Sequence, residues 1–151
     1  KRAMTSLHIP EAAAPAVKAS LQLWHQMMEA HDLGRLREIA HPEAVFRSPM
    51  AHNAYASADA LVLALSNVIE VFEDFTYHRS FVSDDGLDVV LEFSATVDGR
   101  SLKGIDMIRF DADGLIRDFE VMVRPMSGLQ ALGARMAARV GGSLPAFKAK
   151  A

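Results

Sequence analysis

FTYHRSFVSDDGLDVVLEFSATVDGRSLKGIDMIRFDADGLIRDFEVMV, residues 75–123, is the stretch on which the fold turns. Apolar and polar residues alternate along it, the two-residue period of half-buried strands. The alternation breaks at Asp84-Asp85-Gly86, at Asp98-Gly99 and at Asp111-Ala112-Asp113-Gly114. Each break carries the Asp and Gly that tight turns favour. Four strands in a meander are therefore predicted, over 75–83, 88–97, 100–110 and 115–123.

The turns also set the register, and the register decides which residues share a face. A two-residue turn at Asp98-Gly99 pairs Val97 with Arg100, Asp106 with Leu91 and Gly104 with Phe93. A four-residue loop at 111–114 pairs Phe110 with Leu115, Asp106 with Phe119 and Gly104 with Val121. One face then gathers Leu91, Phe93, Ala95, Asp106, Ile108, Phe119, Val121 and Val123. It must meet the helices, and Asp106 is the acid in its middle. The other face mixes Val90, Ile105, Met107 and Met122 with Glu92, Arg109, Glu120 and Arg124, and Arg109 falls opposite Asp88 as a cross-strand ion pair. A carboxyl on an apolar face is costly unless it is paired, hydrogen-bonded or protonated. Asp106 is thus either a core acid satisfied by a backbone amide, Trp24 or a histidine, or a tuned acid in a pocket.

Working outward, Val17, Leu21, Trp24 and Met28 recur at helical spacing and predict a helix over 15–30, with Pro15 in its first turn. Asp32 is placed to cap a shorter helix that carries Leu33, Leu36 and Ile39 and ends at Pro42. A short strand follows over 44–48, stopped by Pro49, then a loop with Met50, His52 and Tyr55. Ser57 caps a third helix, with Asp59 in its first turn and Leu61, Leu65, Val68 and Phe72 as its stripe. After the meander, Leu129, Leu132 and Met136 predict a last helix over 127–140, with Gly141 as its stop. Helices segregated from a meander read as an α+β fold: a curved antiparallel sheet wrapped around the N-terminal helices. The expected organisation is a flexible segment over 1–14, one pocket domain over 15–140 and a flexible tail over 141–151.

Composition narrows the function classes. The 151 residues suit one core, and half are apolar. The net charge of −3, without a basic run, lacks the footprint of a nucleic-acid binder. Cysteine is absent, which removes disulfide, thiolate-metal and cysteine-nucleophile chemistry. The longest apolar stretch, 61–72, is too short to span a bilayer, and residues 1–15 lack the apolar centre of a signal peptide. A cytoplasmic protein is expected. His25, His31, His41 and His78 show no metal-ligand spacing, and no glycine-rich phosphate loop or nucleophile motif occurs. Neither metal nor cofactor is expected. His52, near the presumed pocket mouth, is a candidate acid or base, because histidine titrates near neutral pH. Trp24, Met28, Phe46, Ser48, Tyr55, Phe72, Phe93, Phe119 and Val121 are the candidate lining of an adaptable apolar cavity around Asp106, with Met27, Met50 and Met107 as further filler.

The helix order, with EAHDLGRLREIAHPEAVFRSP at 29–49 and GIDMIRFDADGLIRDFEVMVRP at 104–125, resembles the nuclear transport factor 2-like superfamily in its SnoaL-like and ketosteroid-isomerase-like branch. The resemblance runs over about 16–124 and implies a cone-shaped roll with a pocket. Set against the ketosteroid isomerases, it puts Asp106 on the acid that helps bind the developing oxyanion, Trp24 on the oxyanion-hole tyrosine and Ser48 on the catalytic aspartate base. With one role of three kept, it does not imply steroid isomerisation. What it does imply is a site for a small hydrophobic organic molecule, with room for cofactor-free acid–base chemistry such as isomerisation, dehydration or hydrolysis. A non-catalytic ligand-binding or protein-interaction domain of the same fold is the alternative. The mixed face suits an interface, and the superfamily implies a homodimer through it. Arg124, before Pro125, fits either the pocket rim or that interface.

Overall fold

The computed structural model describes residues 8–143. Helix α1 spans Pro15–Ala30 and buries Val17, Leu21, Trp24, Met27 and Met28. It ends at His31, whose left-handed backbone (φ 56°) turns the chain, its N–H donating back to Met28 O. The short helix predicted after Asp32 is one 3-10 turn, Leu36–Ile39. Asp32 caps nothing there: its carboxylate accepts the N–H of Gly34, two residues on, and so builds a turn.

Strand β1 (Ala40–Arg47) starts four residues earlier than its pattern suggests and runs through Pro42. Proline is tolerated because the pairing of β1 with its neighbour is interrupted between Ala40 and Val45. Strand β2 is the two-residue Tyr55–Ala56, and helix α2 spans Ala58–Val71. Ser57 precedes α2 with φ 90° and makes no cap hydrogen bond; among the described residues its buried hydroxyl has no partner. The meander is β3 (Glu73–Val82), β4 (Asp88–Val97), β5 (Arg100–Phe110) and β6 (Ile116–Arg124), followed by α3 (Met126–Val140).

The six strands form one curved, open sheet in the order β2-β1-β6-β5-β4-β3. It is mixed rather than wholly antiparallel, since β1 lies parallel to β6. The β4–β5 register is the one the Asp98-Gly99 turn dictates, with Leu91 opposite Asp106 and Phe93 opposite Gly104. Both turn residues have positive φ, 50° and 76°, as a type I′ hairpin requires. The β5–β6 register differs from expectation by two residues. Asp106 faces Val121, Gly104 faces Val123 and Ile108 faces Phe119. A longer loop shifts the pairing by one, and a bulge between Phe110 and Arg109 shifts it by one more. Two residues are a whole side-chain period, so Asp118 to Arg124 stay on their predicted faces, while the bulge turns Ile116 inward beside Phe110.

The inner face is the core. Leu91, Phe93, Ile108 and Phe119 are almost wholly buried against α1 and α2. Truncating such a side chain to alanine costs about 3–5 kcal/mol for phenylalanine. Gly104 leaves room for the Phe93 ring: a Cβ there would sit 2.5 Å from both Phe93 Cζ and Met122 O. On the outer face Glu92 is covered by cations. Arg79 donates to both its oxygens at 2.7 and 2.9 Å, and Lys103 lies 3.3 Å away. The expected Arg109–Asp88 pair is present. Phe81, Met107 and Met122 are exposed on that face.

Residues 8–14, read above as part of a flexible segment, are packed. The Ala14 N–H donates to Gly86 O, the Ser80 hydroxyl donates to His8 O, and Ala13 joins the core. The rest of both expected flexible ends, 1–7 and 144–151, lies outside the described residues.

Candidate functional site

A cavity of about 290 Å³ opens between the helices and the concave face of the sheet. Every element except β4 and the 3-10 turn contributes to its wall. Trp24 and Met28 come from α1, Phe46 from β1, Tyr55 from β2, and Leu65, Val68 and Ile69 from α2. Phe75 and Tyr77 come from β3, Asp106 from β5, Phe119 and Val121 from β6, and Leu132 and Met136 from α3. Such a wall suits an uncharged apolar molecule, because no lysine, arginine or histidine lines it.

The polar groups are few and linked. Trp24 Nε1–H donates to Tyr77 Oη at 2.8 Å, and Tyr77 Oη–H donates to Asp106 Oδ2 at 3.3 Å. All three side chains are buried. The second contact is long for an O–H donor, so Asp106 is held loosely. Among the described residues no backbone amide reaches its carboxyl, and Tyr77 is its partner. Burial pushes the Asp106 pKa up to about 7, and the Tyr77 hydrogen bond only partly opposes this. Burial, then the neighbouring Asp106 charge, pushes the Tyr77 phenol well above its usual value, so it stays protonated. Near neutral pH Asp106 therefore exists both as an acid that can donate a proton and as a base that can accept one.

Of the residues the sequence nominated, Trp24, Met28, Phe46, Ser48, Tyr55, Phe72, Asp106, Phe119 and Val121 all line the cavity. Phe93 and His52 do not. Phe93 stands behind the wall, its ring stacked on Phe75 at 5.1 Å and tilted against Phe72 at 5.5 Å. Its place over Gly104 draws it toward β5 and away from the cavity. His52 is exposed in the loop between β1 and β2, and its imidazole does not face the cavity. Ser48 Oγ accepts the Met50 N–H at 3.0 Å, which makes it a turn-builder.

Tyr77 was not anticipated. Strict alternation from Ser80, which faces Leu91, would place Tyr77 outward; a bulge between Tyr77 and Ser80 brings it opposite the inward Phe93. The apolar stripe of α3 must be buried either across the pocket mouth or on a dimer partner, and Leu132 and Met136 line the cavity. Among the described residues no group of three potential metal ligands converges, and no helix is long and apolar enough to cross a membrane.

The comparisons with known proteins agree with this architecture. A crystal structure described as a steroid delta-isomerase from Pseudomonas aeruginosa is 56% identical, with a TM-score of 0.84 over 88% of this chain and 97% of that one. An uncharacterised protein with a cystatin-like fold from Silicibacter pomeroyi is 26% identical, with a TM-score of 0.79 over 92% of this chain and 98% of that one. A proposed SnoaL-like polyketide cyclase from Jannaschia, at 12% identity and a TM-score of 0.62 over 85% of this chain and 99% of that one, shares the fold. No protein of curated function matches. Residues 21–119, about two thirds of the chain, match the SnoaL-like domain, and the chain belongs to that family.

Proposed function

We propose that the cavity binds a small, uncharged hydrophobic molecule bearing a carbonyl or phenolic oxygen, and that Asp106 donates a hydrogen bond, and in turnover a proton, to that oxygen. The observation that carries this is a carboxyl on an apolar cavity wall whose partner is one phenol, at the long distance of 3.3 Å. A protonated acid in a dry site is a strong donor to an oxygen that gains negative charge. Tyr77 and Trp24 hold that acid in place.

The name carried by the Pseudomonas neighbour raises the isomerisation of a ketosteroid. That reaction needs a base to carry a proton between two carbons and a donor for the enolate oxygen. The wall offers Asp106 for one of these roles and no other carboxyl or imidazole for the second, and Ser48 Oγ is engaged by Met50 N–H. Acid–base chemistry run by a single carboxyl is the better supported reading.

The test is calorimetric titration with 2-naphthol and with naphthalene, which differ by one hydroxyl. 2-Naphthol is expected to bind about tenfold more tightly, about 1.4 kcal/mol, with the difference abolished in Asp106→Ala. Equal affinity of the two probes in the wild type, or an unchanged preference in Asp106→Ala, would sink the proposal.

A further inference from the structure

The wall of the cavity is unevenly buried, and the uneven part locates its mouth. Met50 lines the cavity yet is 51% exposed, so it stands between the interior and solvent. Across from it runs one face of α3, where Gly133, Ala137 and, just past the helix end, Gly141 also line the cavity. Met50 lies against that face. A Cβ added at Gly133 would sit 2.4 Å from Met50 Cε and 2.9 Å from Sδ. Glycine inside a helix is less stable than alanine there. The missing side chain at Gly133 makes room for the thioether.

Hydrogen bonds tie down the backbone of Met50, so its side chain is the part that can rotate. Ser48 Oγ accepts the Met50 N–H at 3.0 Å, and Ser48 O accepts the Ala51 N–H at 3.4 Å, which ties the loop into a turn. Methionine itself is unbranched and has several rotatable side-chain bonds. A hydrogen-bonded turn holding a rotatable apolar chain over a helix notch has the parts of a door.

We infer that Met50, seated on Gly133, is the door of the cavity and sets the width of the molecule admitted. Its use as a specificity device rests on the ligand-binding reading above, but its existence as a door does not. Ser48 thereby has a role: it positions Met50.

Trp24 provides a readout that needs no ligand. It is the single tryptophan of the chain, lines the cavity and is 4% exposed. Acrylamide, a small neutral quencher, must pass the mouth to reach it. Met50→Ala is expected to raise the quenching constant several-fold. Gly133→Ala should raise it too, by pushing Met50 off its seat, and should add little once Met50 is already alanine. Met126→Ala, 73% exposed and outside the cavity wall, should change nothing. An unchanged constant in Met50→Ala overturns the inference, and so does an equal effect of Gly133→Ala with and without Met50. If quenching responds as expected but neither naphthalene nor 2-naphthol binds, the door stands and the ligand reading falls. If 2-naphthol binds and quenching ignores Met50, the reverse holds.

Discussion

Replacing Asp106 with asparagine should make the protein more stable, and by an amount that depends on pH. The carboxyl has an ordinary pKa of 3.8, which it keeps in the unfolded chain, and about 7 in the folded one. Between these values the folded state holds the proton and the unfolded state does not. Stability contributed by a pKa raised on folding is complete below 3.8, falls as pH rises toward 7, and levels off once both states are ionised. At about 1.4 kcal/mol per pH unit the whole gap is about 4 kcal/mol, of which about 2 kcal/mol falls between pH 5 and pH 7, since the folded carboxyl is half ionised at pH 7. Asparagine keeps the shape and the acceptor for Tyr77 Oη–H but cannot ionise. Urea denaturation of both proteins at pH 5, 6, 7 and 8 cancels every other titrating group in the difference between them. The variant should gain about 2 kcal/mol on the wild type between pH 5 and pH 7, and about 0.3 kcal/mol more by pH 8. A difference that stays level across the series would mean that Asp106 is not buried as an acid, and the chemistry assigned to it would go with it.

Three other outcomes follow from the same structure. Gly104→Ala should cost about 2 kcal/mol, lowering Tm by roughly 4–8 °C, because its Cβ meets the Phe93 ring and a backbone oxygen; an unchanged melt would show that β5 has slack. Glu92 is held at about 2 by the Arg79 hydrogen bond, so its contribution is present above 4.5 and is lost as pH falls toward 2. Glu92→Gln should therefore lose less stability than the wild type between pH 5 and pH 3 in thermal melts, and parallel curves would exclude that role. Phe81, Met107 and Met122 on the outer face should pair two chains, so scattering at micromolar concentration should give a dimer that Met107→Glu splits; a monomeric wild type would refute the pairing.

What the sequence revealed depended on how local the cause was. Asp98-Gly99 sits inside the hairpin it forms, so the ten β4–β5 pairs and the inward side of Asp106 could be counted from it. From Asp118 onward the face of β6 was right although its pairing was not, because the loop and bulge together shift it by a full period. Tyr77 could not be counted in, since a bulge leaves no fixed mark in an alternating pattern. Nor could Met50 and Gly133, which lie far apart in the chain and meet only through the packing of α3. The parallel neighbour of β1 was equally hidden, because nothing near residue 40 names a partner near residue 118.

That parallel pair bears on how the chain assembles. β3 to β6 can zip together hairpin by hairpin, each closing a short loop. β1 must instead close a loop of some seventy residues before its ladder with β6 forms, and its other neighbour, β2, offers only two residues. Loop-closure entropy delays contacts of that kind. During synthesis, α1 and β1 leave the ribosome long before the strand that will shelter them. We expect pulse-labelled hydrogen exchange to protect β4 and β5 amides before those of β1, and simultaneous protection would rule this order out. The apolar side of α1 must then wait in a nascent chain, which makes the N-terminal third the part most in need of a chaperone.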